Sequence, residues 1–122
     1  MIKKLEVTAV HFDLDPKLKN YAMRKIGKLD KYLPRSARAS AHADIKLKEQ
    51  HARNKKQCHC EVILQLPKDT ITITEATINM YAAVDIVEAK LRNRIKIYKD
   101  KHMPAKLHHR AFAHLKKLKS NI

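Results

Sequence analysis

The order in which hydrophobic residues repeat is the strongest constraint on the fold of this chain of 122 residues. Apolar and polar residues alternate with a period of two in four segments, as in half-buried β-strands. Two longer segments carry apolar residues three and four positions apart, as one face of an α-helix does. The predicted strands are residues 5–10, 39–47, 58–66 and 70–75, and the predicted helices are residues 16–33 and 79–101.

Helix-capping residues and turn signals separate these segments. Asp15 followed by Pro16 is typical of a helix start, and Pro34 is expected to end that helix. Asn79 is the predicted cap of the second helix, which Pro104 closes. The polar stretch 49–56 is predicted to be a hairpin loop.

The segment order β-α-β-β-β-α predicts an α+β protein. A four-stranded sheet with both helices packed on one face would bury all the apolar stripes together. If the first two strands pair in parallel, their connection through the first helix should be right-handed. We expect one domain over residues 1–103 and a basic tail or short helix over residues 104–122.

The composition predicts a cytoplasmic protein without a membrane partner. The chain contains no run of about 18 apolar residues, and its N-terminus lacks the apolar stretch of a secretory signal. Cys58 and Cys60 are the only cysteines and stand too close along one strand for an ordinary disulfide. This suits a reducing compartment.

The chain is strongly basic, with 27 Lys and Arg against 12 Asp and Glu and a formal net charge of +15. Such an excess attracts polyanions, whereas a hydrophobic content of 44% argues against a disordered basic tail protein. Most basic residues fall on the two helices and the tail, where few acids could compensate them. We therefore predict an RNA-binding surface on the outer helix faces. The candidate RNA-binding residues are Arg24, Lys25, Lys28, Lys31, Arg35, Lys90, Arg92, Arg94, Lys96 and Lys99.

Aromatic residues are few, and Tyr21, Tyr81 and Tyr98 fall on predicted apolar faces. Recognition of RNA shape and phosphates is therefore expected, with little sequence specificity. Two other classes remain open: a generic double-stranded RNA-binding or RNA-chaperone module, and a protein-interaction module that modulates, for instance, a transcription factor. Phosphate binding would weaken steeply as salt rises, whereas a protein-interaction module would show weak salt dependence.

Catalysis and metal binding have little support in the sequence. No Gly-rich phosphate loop, H-E-x-x-H or G-x-S-x-G motif is present, so we expect no enzymatic activity and no cofactor. The one metal-like cluster is Cys58-His59-Cys60 with His42 and His51. The two cysteines share a strand face from which His59 points away, so buried thiols are predicted and a metal site is not.

Two short sequence segments resemble those of a known family. Residues 79–85, NMYAAVD, resemble the D-M-Y-A-A-I-D signature of the ribosome hibernation factors, which include ribosome-associated inhibitor A (protein Y) and hibernation-promoting factor. Residues 24–32, RKIGKLDKY, resemble the family's basic segment on the first helix. The resemblance covers roughly residues 5–101 and implies the same β-α-β-β-β-α order.

The resemblance also implies a function. Family members bind the small ribosomal subunit in the channel between head and body, compete with mRNA and tRNA, and hold idle ribosomes inactive. By position, Lys25, Lys28 and Lys31 match rRNA-facing residues of the first helix, and Lys90 matches one of the second. Asn93 departs from the family, which usually has Arg there, and the tail is basic where some short members end in an acidic one. Away from the ribosome, a monomer is expected.

Overall fold

The computed structural model of the protein describes residues 1–102. Its elements follow the predicted β-α-β-β-β-α order, with a 3-10 helix and a short α-helix added in the first crossover, so the α+β fold class is confirmed. The elements are β1 (Lys4–Val10), α1 (Pro16–Gly27), the 3-10 helix (Lys28–Tyr32), α2 (Arg35–Arg38), β2 (His42–Ala52), β3 (Lys55–Leu66), β4 (Asp69–Thr77) and α3 (Met80–His102). The predicted tail, residues 104–122, lies outside the described residues.

The four strands lie side by side in chain order, β1-β2-β3-β4. β1 pairs with β2 in parallel, with Val7 opposite Ile45, and the other two pairs are antiparallel. Because parallel neighbours need a crossover connection, α1, the 3-10 helix and α2 carry the chain from the end of β1 back to the start of β2.

One face of the sheet forms the floor of the hydrophobic core. Ile45, Leu47, Val62 and Leu64 are at most 1% exposed, since alternate residues of a strand point to the same side. The buried residues of α1 and α3 join them in a single apolar cluster, so both helices pack on this face as predicted. Among residues 1–102, no helix is long and apolar enough to cross a bilayer.

The predicted first helix over residues 16–33 is wrong in its last third. α1 ends at Gly27 and the chain continues as the 3-10 helix. The side chain of Arg38 holds this 3-10 segment, because its Nε donates to the carbonyl oxygens of Asp30 and Leu33, both at 3.1 Å. These carbonyls thereby gain a side-chain partner at the end of the 3-10 helix.

β2 and β3 form the predicted hairpin, but they extend through most of the region predicted as its loop, so the loop bounds 49–56 are wrong. The strands remain paired as far as Ala52 and Lys55. Only Arg53 and Asn54 connect them, and both have a positive φ, 52° and 63°. Positive φ at both central residues is the backbone of a type I′ turn, whose twist matches the strands of a hairpin.

Both predicted helix starts are confirmed. The Oδ1 atom of Asp15 accepts a hydrogen bond from the backbone N–H of Lys17 at 3.1 Å. The Oδ1 atom of Asn79 accepts one from the N–H of Tyr81 at 2.8 Å. Each side chain satisfies a backbone donor that the first turn of its helix leaves without a partner.

Candidate nucleic-acid interface

Two tyrosines join α1 to α3. The rings of Tyr21 and Tyr81 meet edge to face with their centroids 4.9 Å apart, and the Tyr21 hydroxyl donates to Asp85 Oδ1. The sequence predicted both rings to be core residues, but they are only half-buried, whereas Tyr98 is buried as predicted. The helices therefore lie side by side, as the predicted positive surface requires.

A cleft of about 320 Å³ opens where α1 and the 3-10 helix face α3. We call it the basic cleft, because five cationic side chains line it together with two tyrosines, one leucine and one glutamate. The cleft cations are Arg24, Lys25, Lys28, Lys31 and Arg92. Half of the predicted RNA-binding residues thus come together at one place.

The backbone explains why four of these cations converge. Arg24 and Lys25 lie in the last turn of α1, and Lys28 and Lys31 lie in the 3-10 helix. Because a 3-10 helix has three residues per turn, side chains three positions apart stand one above the other. Lys28 and Lys31 therefore point to the same side.

Acidic groups offset only part of this charge. Lys25 Nζ lies 3.5 Å from Asp85 Oδ1, and Glu88 lies in the cleft wall. Asp30 instead pairs with the α-amino group of Met1 at 3.0 Å. Five cations against two carboxylates leave the basic cleft with a positive balance.

The two tyrosines of the cleft have opposite pKa shifts. A hydrogen bond with Arg92 lowers the pKa of Tyr32, and Lys31 Nζ lies 5.1 Å from the centroid of the same ring. The hydrogen bond to Asp85, together with burial, raises the pKa of Tyr21 to about 12. The cationic side chains thus hold Tyr32 in place, while a carboxylate holds Tyr21.

The other five predicted residues lie outside the cleft lining. Lys90 forms an ion pair with Glu75 of β4, on the opposite flank of α3 from Arg92. Lys96 follows Arg92 by four positions and Lys99 follows it by seven, so they continue its flank along the helix. The last two predicted RNA-binding residues are Arg35 on α2 and Arg94 on α3, and both are exposed.

Sequence reasoning missed Arg38. Besides its two hydrogen bonds from Nε, Arg38 donates a third from a terminal guanidinium nitrogen to the carbonyl oxygen of Lys31, at 3.3 Å. Arg38 thereby holds the 3-10 helix that carries Lys28 and Lys31. These contacts reach back five to eight positions across an irregular segment, where no periodic pattern could signal them.

The fold separates the cysteines from the histidines of the metal-like cluster that the sequence suggested. Cys58 and Cys60 are buried in the core, and burial raises the pKa of Cys60 to about 12. His59 lies on the other face of the sheet. On that face, His42 Nε2 lies 3.3 Å from Asp44 Oδ1. The side chain of Glu6 lies close to both, and this group of three is accessible to solvent.

Comparison with known families identifies the chain. The family model described as Sigma 54 modulation protein / S30EA ribosomal protein matches residues 5–103. The chain belongs to this family. It is thereby a member of the ribosome hibernation factor family, as the sequence segments 24–32 and 79–85 indicated.

Similar proteins and structures agree with this membership. The chain is 28% identical to a ribosome hibernation promotion factor of Lactococcus lactis and 27% identical to one of Staphylococcus aureus, over 79% of its length. It spans about half the length of these relatives, 49% and 48%.

Two solved structures share the fold. The Thermus thermophilus protein Y N-terminal domain has a TM-score of 0.64 at 19% identity, covering 76% of this chain and 94% of that one. A ribosomal subunit interface protein from Coxiella burnetii has a TM-score of 0.63 at 22% identity, covering 79% of this chain and 97% of that one.

Proposed function

We propose that the protein is a ribosome-binding translation inhibitor that docks on small-subunit rRNA in the channel used by mRNA and tRNA. The basic cleft is the observation that carries this proposal. Its cations come from α1, the 3-10 helix and α3, so one rRNA backbone lying across the helix pair would contact all of them. Bound there, the protein would exclude mRNA and tRNA and keep idle ribosomes inactive.

The names of similar proteins support a ribosomal partner. Both curated relatives are named ribosome hibernation promotion factor, and one structural neighbour is named a ribosomal subunit interface protein. The family membership of residues 5–103 brings the same partner class to this chain as a proposal. We propose a cytoplasmic, non-enzymatic role on the same basis.

The chemistry of the cleft favours phosphates over bases. Lys and Arg side chains neutralise phosphates, and this binding carries little sequence information. The side chain of Asn93 is exposed on α3 and cannot replace the charge of the Arg that is usual there. Arg92 in the cleft wall, with Lys96 and Lys99 on the same flank, would supply the cations of this helix.

Sedimentation of the protein with purified ribosomal subunits tests the proposal. The wild-type protein should travel with small subunits in a sucrose gradient. Replacing Lys25, Lys28 and Lys31 with Ala should leave the fold intact, because none of them is buried, and should weaken binding by about tenfold or more at moderate salt. Unchanged sedimentation of this variant would rule out the basic cleft as the docking site.

A matched control removes the same charge elsewhere. Lys3, Lys4 and Lys46 are exposed and lie outside the cleft, so replacing all three with Ala tests the effect of net charge alone. This control should bind more tightly than the cleft variant.

Competition separates the proposal from a generic double-stranded RNA-binding or RNA-chaperone module. Added tRNA should displace the protein from small subunits if it occupies the tRNA channel. A generic module should instead prefer free duplex RNA and should leave the small subunit when duplex is added. A partner protein such as a transcription factor would be indicated by binding that changes little between low and high salt.

A further inference from the structure

The β2–β3 hairpin extends beyond the sheet as a two-stranded ribbon. β1 ends at Val10, opposite Lys48, and β4 ends at Thr77, opposite Cys58. Beyond both of these neighbours, β2 and β3 remain paired for three further positions, from Gln50 to Ala52 on β2. At about 3.3 Å per residue, this free length is about 10 Å. We call residues 48–57, which comprise this free length, its turn and Lys48 and Glu49 at its base, the basic ribbon.

The tip of the basic ribbon is a tight turn. Arg53 and Asn54 form the two-residue connection, and both adopt left-handed backbone conformations. Asn tolerates this conformation, whereas Arg adopts it at a steric cost. Arg53 therefore lies at the tip of this hairpin, which is the longer of the two hairpins within residues 1–102.

Positive charge dominates the ribbon. Its only acid, Glu49, is already paired with Lys56 at 3.0 Å. Within residues 1–102, no carboxylate lies within ion-pair distance of Lys48, Arg53 or Lys55. The ribbon therefore offers three uncompensated cations on a narrow support.

The remaining side chains favour RNA over a protein as the partner. Gln50 and Gln57 face each other across the ribbon, and their amides can both donate to and accept from ribose hydroxyls. Ala52 is the only apolar residue among residues 48–57, so the ribbon lacks the large apolar anchors of a protein interface. A-form RNA has a wide, shallow minor groove that displays 2′-hydroxyls between two rows of phosphates.

We propose that the basic ribbon is a second RNA-contacting element that lies in the minor groove of an RNA duplex. None of its residues lines the basic cleft, and it projects from the strand ends opposite the β3–β4 turn at Pro67. The inference rests on the proposed function only in taking RNA as the partner. It adds a contact at a separate place on the molecule.

Charge reversal at the tip tests the ribbon. The double variant R53E/K55E changes two exposed residues, and the control K3E/K4E makes the same change of charge at the start of β1. Both should keep the wild-type circular dichroism spectrum. Binding to a short RNA duplex and to small subunits, measured over a range of salt concentrations, should weaken about tenfold more for R53E/K55E than for the control. Its salt slope should fall by about one for each lost phosphate contact.

The outcomes distinguish the two proposals. If the wild-type protein binds small subunits and the ribbon variant binds like its control, the ribbon proposal is overturned while the proposed function stands. If the wild-type protein binds duplex RNA but not ribosomes, the proposed function fails and the ribbon can still be judged on the duplex.

Crosslinking gives a second readout that does not depend on charge. Gln50 is exposed, and a photo-crosslinker attached to the variant Q50C should label RNA within the bound complex. A crosslinker on K28C should label a different RNA segment. Labelling of ribosomal protein alone from position 50 would overturn the proposal in favour of a protein contact.

Discussion

The hydroxyl of Tyr21 in α1 lies 2.5 Å from Asp85 Oδ1 in α3, 64 positions further along the chain. The same carboxylate also pairs with Lys25 at 3.5 Å. Asp85 therefore fastens the two helices together and offsets one cation of the basic cleft. Its two contacts link the stability of the domain to the charge of its proposed RNA-binding surface.

The titration of Tyr21 is the first prediction. Its pKa is raised to about 12, whereas the phenol of the unfolded chain ionises near the ordinary value of about 10. The folded protein holds this proton more tightly, so the resulting stabilisation is complete below pH 10 and is lost as the pH rises from 10 to about 12. An ultraviolet titration should show a late-ionising phenol that Tyr21→Phe removes. Asp85→Asn should bring its pKa back towards the ordinary value.

Asp85→Asn should also strengthen RNA binding, because it frees Lys25 and removes a negative charge beside the cleft. We expect about two- to fivefold tighter binding at low salt, corresponding to about 0.5–1 kcal/mol. The Asn oxygen can still accept from the Tyr21 hydroxyl, but the bond loses its charged acceptor, so the variant should lose about 1 kcal/mol of folding stability or less. Fluorescence anisotropy with a short RNA measures the affinity. Asp13→Asn removes an exposed acid outside the cleft, and equal gains in both variants would contradict the prediction.

Leu91→Asp should unfold the domain. Leu91 is 0% exposed in α3, so the substitution loses apolar packing and buries a charge without a partner, at a cost of about 3–5 kcal/mol or more. Because small domains are stable by only about 5–15 kcal/mol, a thermal melt followed by circular dichroism should lose its cooperative transition or shift far down. Asn93→Asp changes an exposed residue on the same helix and should alter stability by at most about 0.5 kcal/mol.

The two cysteines should be unreactive in the folded protein. Burial raises the pKa of both thiols, that of Cys60 to about 12, so little of the reactive thiolate forms near neutral pH. Mass spectrometry after brief iodoacetamide treatment should find neither residue alkylated in native protein and both alkylated in denaturant. Rapid native modification of Cys60 would show that the strand face is not buried as described.

The sequence predicted the features that depend on local periodicity and capping. The alternating residues from Ile45 to Leu47 and from Cys58 to Leu66 lie on the buried face as expected. Asp15 and Asn79 cap their helices. These features follow from residues a few positions apart, so a single sequence contains the information that specifies them.

Features that depend on distant contacts or unusual backbone geometry escaped prediction. The 3-10 helix that follows α1 is held by the Arg38 side chain, which lies beyond Pro34 in a segment without periodicity. The hairpin turn uses Arg53 rather than the Gly or Asn usual at a left-handed position, so the sequence predicted a hairpin loop over residues 49–56 but did not locate its two-residue turn. In the candidate site, the convergence of Lys28, Lys31 and Arg92 required the 3-10 geometry and the placement of α3.

α3 is attached to the sheet near both of its ends. Cys58 Sγ donates to the carbonyl oxygen of Ile78 just before the helix, at 3.8 Å, and the Tyr98 hydroxyl donates to the carbonyl oxygen of Pro67 near its other end, at 2.8 Å. Because α3 is held near both ends, it cannot move away from the 3-10 helix. The distance between Arg92 and the 3-10 helix is therefore fixed before any ligand binds. Binding would then cost little free energy for rearranging the protein. A bound polyanion would need to match a cleft of fixed width.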